Sequence, residues 1–426
     1  MKKSRTVAHP TAVESPVPRH LPLVGLLVDA QSELFELAVR SGVKVLEAML
    51  EEDRTAICGP RYAHDANRAA SRAGTVASEV VLGGRKVAVR RPRVRAHGQE
   101  VPLPTFQAMA QVDPLNRRVV EQMLVGVATR RYARSLEPVP ASVRSRGTSK
   151  SAVSRRFVAM TTAQLAAWQT TALDALDLVG LLIDGVHIEA HCLIVALGIA
   201  ADGQKHALGL WDGSTENAQV CVDLLANLQS RGLRTDRSLL VILDGSKALR
   251  KAVRTLFGDA ALVQRCQVHK TRNILEYLSD RDQPWVQAIL RRAYQATDLK
   301  LAQRLLRDLA RRLEVEYPSA AESVREGLDE TLTVLTLKLS PRLRRSLATT
   351  NAAESLISRT RHVKRNVKRW RGGQMMLRWV AAGLLEAAKG FRRLKGYADM
   401  PALVNALRAR DRQLGLVADE VDQQVA

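Results

Sequence analysis

Two short apolar runs of this chain lead into aspartate: "LVGLLIDGVHI" into Asp184 and "SLLVILDGSK" into Asp244. Runs of that length, dense in Leu, Val and Ile, read as buried strands. A carboxylate at the end of such a strand loses its water, which costs several kcal/mol unless something compensates the charge. Neither aspartate has Lys or Arg beside it, so the compensation must come from elsewhere in the fold. A third acid, Glu354, falls at the start of a predicted helix in "ATTNAAESLISRTRHVKR". Two strand acids and one helix acid form a ligand set for a divalent metal.

The surrounding pattern supplies the architecture. "VGLLIDGVHI", "CLIVALGIAADG" and "KHALGLWDG" are three apolar runs with turn signals at Asp202-Gly203 and Asp212-Gly213, an antiparallel meander. A helix closed by Gly232, the strand "SLLVIL", a helix over Lys247 to Phe257 and the strand "ALVQRCQV" follow. This order predicts an α/β fold, a ribonuclease H-like mixed sheet. After His269 the chain reads as helical to about Leu339, with Ala302, Leu305, Leu309 and Leu313 as one apolar stripe, an all-α insertion before Glu354. Ahead of the sheet, Leu21 to Glu52 suggests two short helices, and "TVASEVVLGGRKVAVRRPRV" a β-hairpin turning at Gly83-Gly84. Asp113-Pro114 marks the start of a helix running to about Thr129. Thr148 or Ser149 then caps a helix carrying Lys150, Ser154, Arg155 and Arg156, a helix-turn-helix shape, with a plain linker helix as the alternative. The expected divisions are a disordered arm (1–20), a mainly helical region with the hairpin (21–112), a DNA-binding region (113–172), the sheet domain in two parts (173–270 and 341–395) around the insertion (271–340), and a helical tail (396–426).

Net charge narrows the partner. The chain carries 65 Lys and Arg against 43 Asp and Glu, a formal charge of +22. The excess is blocked: Arg85 to Arg95 holds six bases and no acid, and Ser355 to Arg393 eleven bases and one acid, whereas Lys270 to Ser340 is nearly balanced at twelve to eleven. Basic blocks between neutral ones resemble a footprint on a polyanion. The four cysteines form no pairwise framework, which suits a reducing compartment. The longest apolar stretch is about half of what a membrane span requires. A cytoplasmic, nucleoid-associated protein working on double-stranded DNA is the expectation.

Asp184, Asp244 and Glu354 are expected to hold Mg²⁺ or Mn²⁺, two ions per site, for in-line phosphoryl transfer. Each has a plainer reading. Asp-Gly is a common turn dipeptide, and Asn351 with Glu354 matches a capping box. Cys266 and His269, in "QRCQVHK", are two ligands where a zinc site needs four, so they are expected to shape the pocket by hydrogen bonding, with Asn351. Arg359, Arg361, Lys364, Arg365, Lys368 and Arg369 follow Glu354 and are expected to grip DNA phosphates, as are Lys150, Arg155 and Arg156. Trp370 among them could stack on an unpaired base, although core packing is the commoner fate of a tryptophan.

With these residues in hand, the chain resembles the Mutator-type transposases of bacterial insertion sequences over roughly Asp113 to Gly396. The resemblance rests on "LLIDGVHI", "VILDGSKAL", "QRCQVHK" and "ATTNAAESLISRTR". It implies first and second aspartates at Asp184 and Asp244, a Cys-x-x-His at Cys266 and His269, and a final glutamate at Glu354. It also implies recognition of terminal inverted repeats, metal-dependent cleavage, joining of 3′-hydroxyls to target DNA, and a homodimer or larger assembly. A ribonuclease H-like nuclease without strand transfer and a non-catalytic DNA-binding regulator derived from a transposase are the alternatives.

Overall fold

The computed structural model describes residues 22–416 apart from 64, 66–67, 83–84, 112–115, 137–143, 148, 189–190, 214–217, 365–366 and 368. The chain divides into two compact units, one of residues 1–118 and 131–149, the other of residues 119–130 and 150–426.

In the first unit, α1 (Pro22–Cys58) is one helix of 37 residues where two were expected. Gly42 lies inside it with open space around its Cα. Glycine in a helix interior costs about 1 kcal/mol relative to alanine, which is too little by itself to end a helix. Strands β1 (Ala70–Leu82) and β2 (Arg85–Ala96) pair antiparallel from Leu82↔Arg85 to Ala70↔Ala96, as the hairpin reading requires. Short strands β3 (Gln99–Val101) and β4 (Ser145–Gly147) both pair with β2, and α2 (Pro104–Gln111) follows β3. Leu46 and Leu50 of α1 pack with Val80, Val87, Val89, Val94 and Leu103. The basic block of β2 is partly neutralised: Arg91 and Arg93 pair with Glu100, and Lys86 with Glu79.

α3 (Asn116–Leu124) runs across the division between units and stops five residues earlier than expected, before Gly126 with φ +114°. Its expected start at Asp113-Pro114 lies outside the described residues. α4 (Lys150–Thr170) forms as expected, but the Gly147 in front of it belongs to strand β4 and not to a turn between two helices. The helix-turn-helix shape is therefore not what precedes α4. α4 buries Val153, Phe157, Thr161, Leu165 and Trp168, of which Leu165 and Trp168 join the second unit's core, with Trp168 Nε1 donating to Ala207 O (2.9 Å).

The second unit is built on a five-stranded mixed sheet, β5 (Leu178–Ile188), β6 (His191–Ala200), β7 (Lys205–Gly213), β8 (Leu239–Leu243) and β9 (Ala261–Arg265), in the order β7-β6-β5-β8-β9. β5, β6 and β7 are the predicted meander, while β8 and β9 run parallel to β5. Helices α5 (Ala218–Ser230) and α6 (Lys247–Phe257) make these parallel crossovers. Side chains alternate across a strand. Leu181, Ile183, Val241 and Leu243 enter the core against α5 and α6; Leu182, Leu240 and Ile242 enter the opposite core. Both faces are covered, which is why β5 and β8 read as unbroken apolar runs.

After β9 the chain is helical: α7 (Gln267–Leu275), α8 (Gln283–Gln295), α9 (Leu299–Leu313), α10 (Pro318–Arg325), α11 (Leu328–Thr331), α12 (Thr333–Thr336) and α13 (Pro341–Leu347). The α9 stripe is buried at Ala302, Leu306, Leu309, Ala310 and Leu313, with the expected Leu305 only half-buried at its margin. α14 (Asn351–Lys364), α15 (Gly373–Ala388) and α16 (Met400–Gln413) return to the sheet, with Leu356, Val380 and Leu403 in the core that holds Leu182 and Leu240. Among the described residues, no helix is long and apolar enough to cross a membrane.

Candidate functional site

Strand register sets the site. Ile183 pairs with Leu243, and Leu243 with Arg265, across the three parallel strands. The next residue on each is Asp184, Asp244 and Cys266. Asp184 continues the alternation of Leu182, and Asp244 that of Leu240 and Ile242, so both belong to the face covered by α14. Ala353, Leu356 and Ile357 pin α14 to that face, which carries Glu354 to the same edge. Asp184 is not at a strand end, as the sequence suggested: β5 continues to Ile188 against β6, and Asp184 stands where the pairing with β8 stops. Its Asp-Gly is thus no turn. Asp244-Gly245 is one: the Ser246 N–H donates to Asp244 Oδ1 (2.9 Å), and Gly245 has φ +115°. A Cβ on Gly245 would lie 2.6 Å from Arg265 Nε, so no larger residue fits there without displacing that side chain.

Cys266 and His269 follow the end of β9 beside Asp244's strand, as expected, although the strand itself stops at Arg265. Cys266 precedes α7 and His269 lies in its first turn. Thr350, which the sequence reading passed over, ties them to α14: its N–H and Oγ1 donate to Cys266 Sγ (3.3 and 3.4 Å), and Oγ1 is 3.3 Å from His269 Nδ1. On its other side, His269 Nε2 is 3.3 Å from Glu354 Oε1. The arrangement is self-consistent when both ring nitrogens carry protons, Nδ1–H donating to Thr350 and Nε2–H facing the carboxylate. The capping box is not formed in the expected way, because Glu354 faces His269 and Asn351 is exposed.

The electrostatics are those of crowded acids. Asp184 is 3% exposed. Burial pushes its carboxyl up to about 7; His269 opposes this, while Asp244 and Glu354 add to it. His269 is pushed up to about 9, chiefly by its hydrogen bond to Cys266, against burial and with help from Asp184 and Glu354. Burial raises the Cys266 thiol, but bonds with His269 and Thr350 outweigh it and bring the thiol below its ordinary value. Behind the pocket, Lys270 is 1% exposed and donates to Glu326 O (2.7 Å), while Arg265 pairs with the Glu326 carboxylate (3.2 Å). These bonds fix the end of α10 to β9 and α7.

The donor set suits a hard divalent cation: three carboxylates, one of them held up near 7 by burial, and a buried Glu354 Oε1 that among the described residues makes no hydrogen bond and meets only the His269 imidazole at 3.3 Å. As the side chains stand, no group of three His, Cys, Asp or Glu among the described residues is arranged to hold an ion. His269 occupies the position beside Glu354.

The expected DNA-binding residues are distributed more widely. Lys150 and Arg155 are exposed on α4, and Arg156 is half-buried. Arg369 is exposed and lines a cavity of about 660 Å³ with Ser154 of α4, Arg371, Arg378 and Trp379. Arg365 and Lys368 lie outside the described residues, and of Arg359, Arg361 and Lys364 only the backbone, on α14, is described. Trp370 is half-buried against the core.

A mixed α/β protein with crowded acids at one sheet edge is the class these features define. Residues 27–393 match the Mutator family of transposases, and the chain belongs to that family. It is 31% identical over 240 residues to the transposase for insertion sequence element IS6120 of Mycolicibacterium smegmatis, covering 55% of this chain and 72% of that one. It is 25% identical over 303 residues to the transposase for IS256 in transposon Tn4001 of Staphylococcus aureus (67% and 74%). Against the transposase for ISRM3 of Rhizobium meliloti it is 30% identical over 200 residues (47% and 49%), so the chain spans about half of that relative.

Proposed function

We propose that this transposase binds the terminal inverted repeats of its insertion sequence, cleaves the DNA at the element's ends and joins the freed 3′-hydroxyls to target DNA. The observation that carries the reading is that two parallel strands and the helix across them bring Asp184, Asp244 and Glu354 toward one sheet edge, Asp184 buried and the other two half-buried. The sheet order, with an antiparallel meander followed by two parallel strands, supports a ribonuclease H-like domain.

Asp184, Asp244 and Glu354 would hold Mg²⁺ or Mn²⁺, two ions per site, once Glu354 leaves His269. When bound, the ions supply Lewis-acid stabilisation of the attacking and leaving oxygens of an in-line displacement. The protein's own contribution is positional. Asp184, whose carboxyl burial pushes up to about 7, would serve as a ligand in its ionised form. Protonated His269 holds Glu354 in the interval before loading, and Thr350 and Cys266 hold the imidazole. The basic residues Lys150, Arg155, Arg156 and Arg369 grip flanking phosphates. Two element ends must be handled together, which calls for at least two copies of the chain.

The test is metal-dependent nicking of a supercoiled plasmid carrying the element's ends. Wild type is expected to nick with Mg²⁺ or Mn²⁺ and not in excess chelator, and Asp184→Ala and Asp244→Ala to bind the plasmid without nicking it. Variants that cut like wild type would overturn the assignment.

A further inference from the structure

The helices between β9 and α14 do more than separate two parts of the sheet domain. A cleft of about 830 Å³ opens among α7, α8 and α13. Four guanidinium groups line it, Arg272 from α7, Arg291 from α8, and Arg344 and Arg345 from α13, with Glu276 as the one carboxylate among its lining residues. Neighbouring ion pairs go elsewhere: Arg265 and Lys270 to Glu326, Arg325 to Glu314, Arg311 to Asp308. Among the described residues, none of the four arginines is paired with a carboxylate. Arg344 makes one hydrogen bond, to Gln295 O (3.3 Å), and both its burial and the like charge of Arg345 work against its protonated form. Cations gathered in a concave site without carboxylate partners raise the local potential and concentrate polyanions there.

The cleft adjoins the acidic pocket. Gln267, whose N–H donates to Ala348 O (2.9 Å), lines it together with Ala348 and Thr349. The sequence neighbours of these residues, Cys266 and Thr350, make the contact that holds His269. A strand whose scissile phosphate sat at Asp184 and Asp244 and continued past Cys266 and Thr350 would enter this cleft. Planar guanidinium forks suit successive phosphates.

We propose that this cleft binds the phosphodiester backbone of the DNA strand flanking the scissile phosphate, so that the helices between β9 and α14 are part of the substrate-binding surface. The proposal rests on the cleavage reading above. The test compares binding of the full chain to two labelled duplexes carrying an element end, one blunt at the cleavage position and one extended into flanking DNA. Wild type should bind the extended duplex about tenfold more tightly, the scale of a few phosphate contacts. R344A/R345A should lose that increment, and R344K/R345K should recover part of it. R304A/R307A, the same charge change at exposed positions of α9, should keep it. Should R344A/R345A fail to fold, R272A/R291A, at exposed positions, carries the same expectation. The cleft proposal is overturned if wild type shows no increment, if the cleft variants retain it, or if the α9 control loses it equally. If wild type binds neither duplex, the DNA reading itself fails, together with the cleft.

Discussion

The acidic pocket and the cationic cleft meet at α7 yet are encoded in opposite ways. Asp184 and Asp244 are placed by strand register: once Ile183 pairs with Leu243, alternation carries both carboxylates to one face and one edge. Arg272, Arg291, Arg344 and Arg345 come from three helices, the first two within the nearly balanced stretch from Lys270 to Ser340 and the last two just beyond it. A sheet fixes side-chain direction residue by residue, so its edge can be read from a linear pattern. A cleft among helices depends on their crossing, which the pattern does not carry. The lesson is that chemistry at strand ends is legible in sequence, whereas binding surfaces assembled from helices are not.

That contrast can be broken or sharpened by experiment. The largest expected effect is on DNA affinity, which belongs to the dispersed basic surface as a whole. With about eight phosphates contacted, the log–log salt slope should be about −7, a loss of about 10⁴-fold between 50 and 200 mM salt in a fluorescence-anisotropy titration. A flat response would remove the basic segments from the DNA surface. Next in size, Asp244→Asn should slow cleavage of an end-bearing duplex by about 10³-fold or more with duplex affinity unchanged, the scale of several kcal/mol of charge stabilisation. Equal losses of binding and cleavage would make Asp244 a structural turn residue only.

The strand core offers a third comparison. Leu240→Ala, at a fully buried position of β8, should destabilise the sheet unit by about 2–5 kcal/mol in a denaturant titration. A change below about 0.5 kcal/mol, the size usual for surface positions, would contradict the packing that sets the register. The smallest effect is a pH-dependent one at Asp184. Its folded value of about 7 lies above the ordinary carboxylate value of 3.8. The fold therefore favours the protonated acid, and that contribution is whole below pH 3.8 and lost as pH rises through 7. Asp184→Asn, which cannot ionise, should melt a few degrees higher than wild type at pH 8 without metal, the advantage shrinking as pH falls toward 4. A lower melting temperature at pH 8 would contradict the crowded-acid account.

Much of the second unit was legible. The meander, the α6 bounds at Lys247 and Phe257, and the separation of Glu354 from the strands by helices all follow from runs and turn signals. The departures have local causes. Gly42 suggested nothing strong enough to end α1, and the two expected helices are one. "QRCQVHK" continues the polarity of β9, but the parallel pairing with β8 ends at Arg265, and Cys266 turns the chain into α7. Thr350 was hidden beside the more conspicuous Asn351, although a hydroxyl just before a helix is a recognisable signal. Glu326, which receives buried Lys270 and Arg265, lies 56 residues from Lys270 and had no signal at all.

The central claim is that Asp184, Asp244 and Glu354 make one ion pocket, and Mn²⁺ binding measured calorimetrically tests it most directly. Wild type, Asp184→Asn, Asp244→Asn and Glu354→Gln would be titrated at pH 8, each first shown to be folded. Saturable binding in the wild type, weakened at least tenfold in every one of the three variants, is the predicted result. Wild-type affinity retained in any one of them would show that its carboxylate stands outside the pocket.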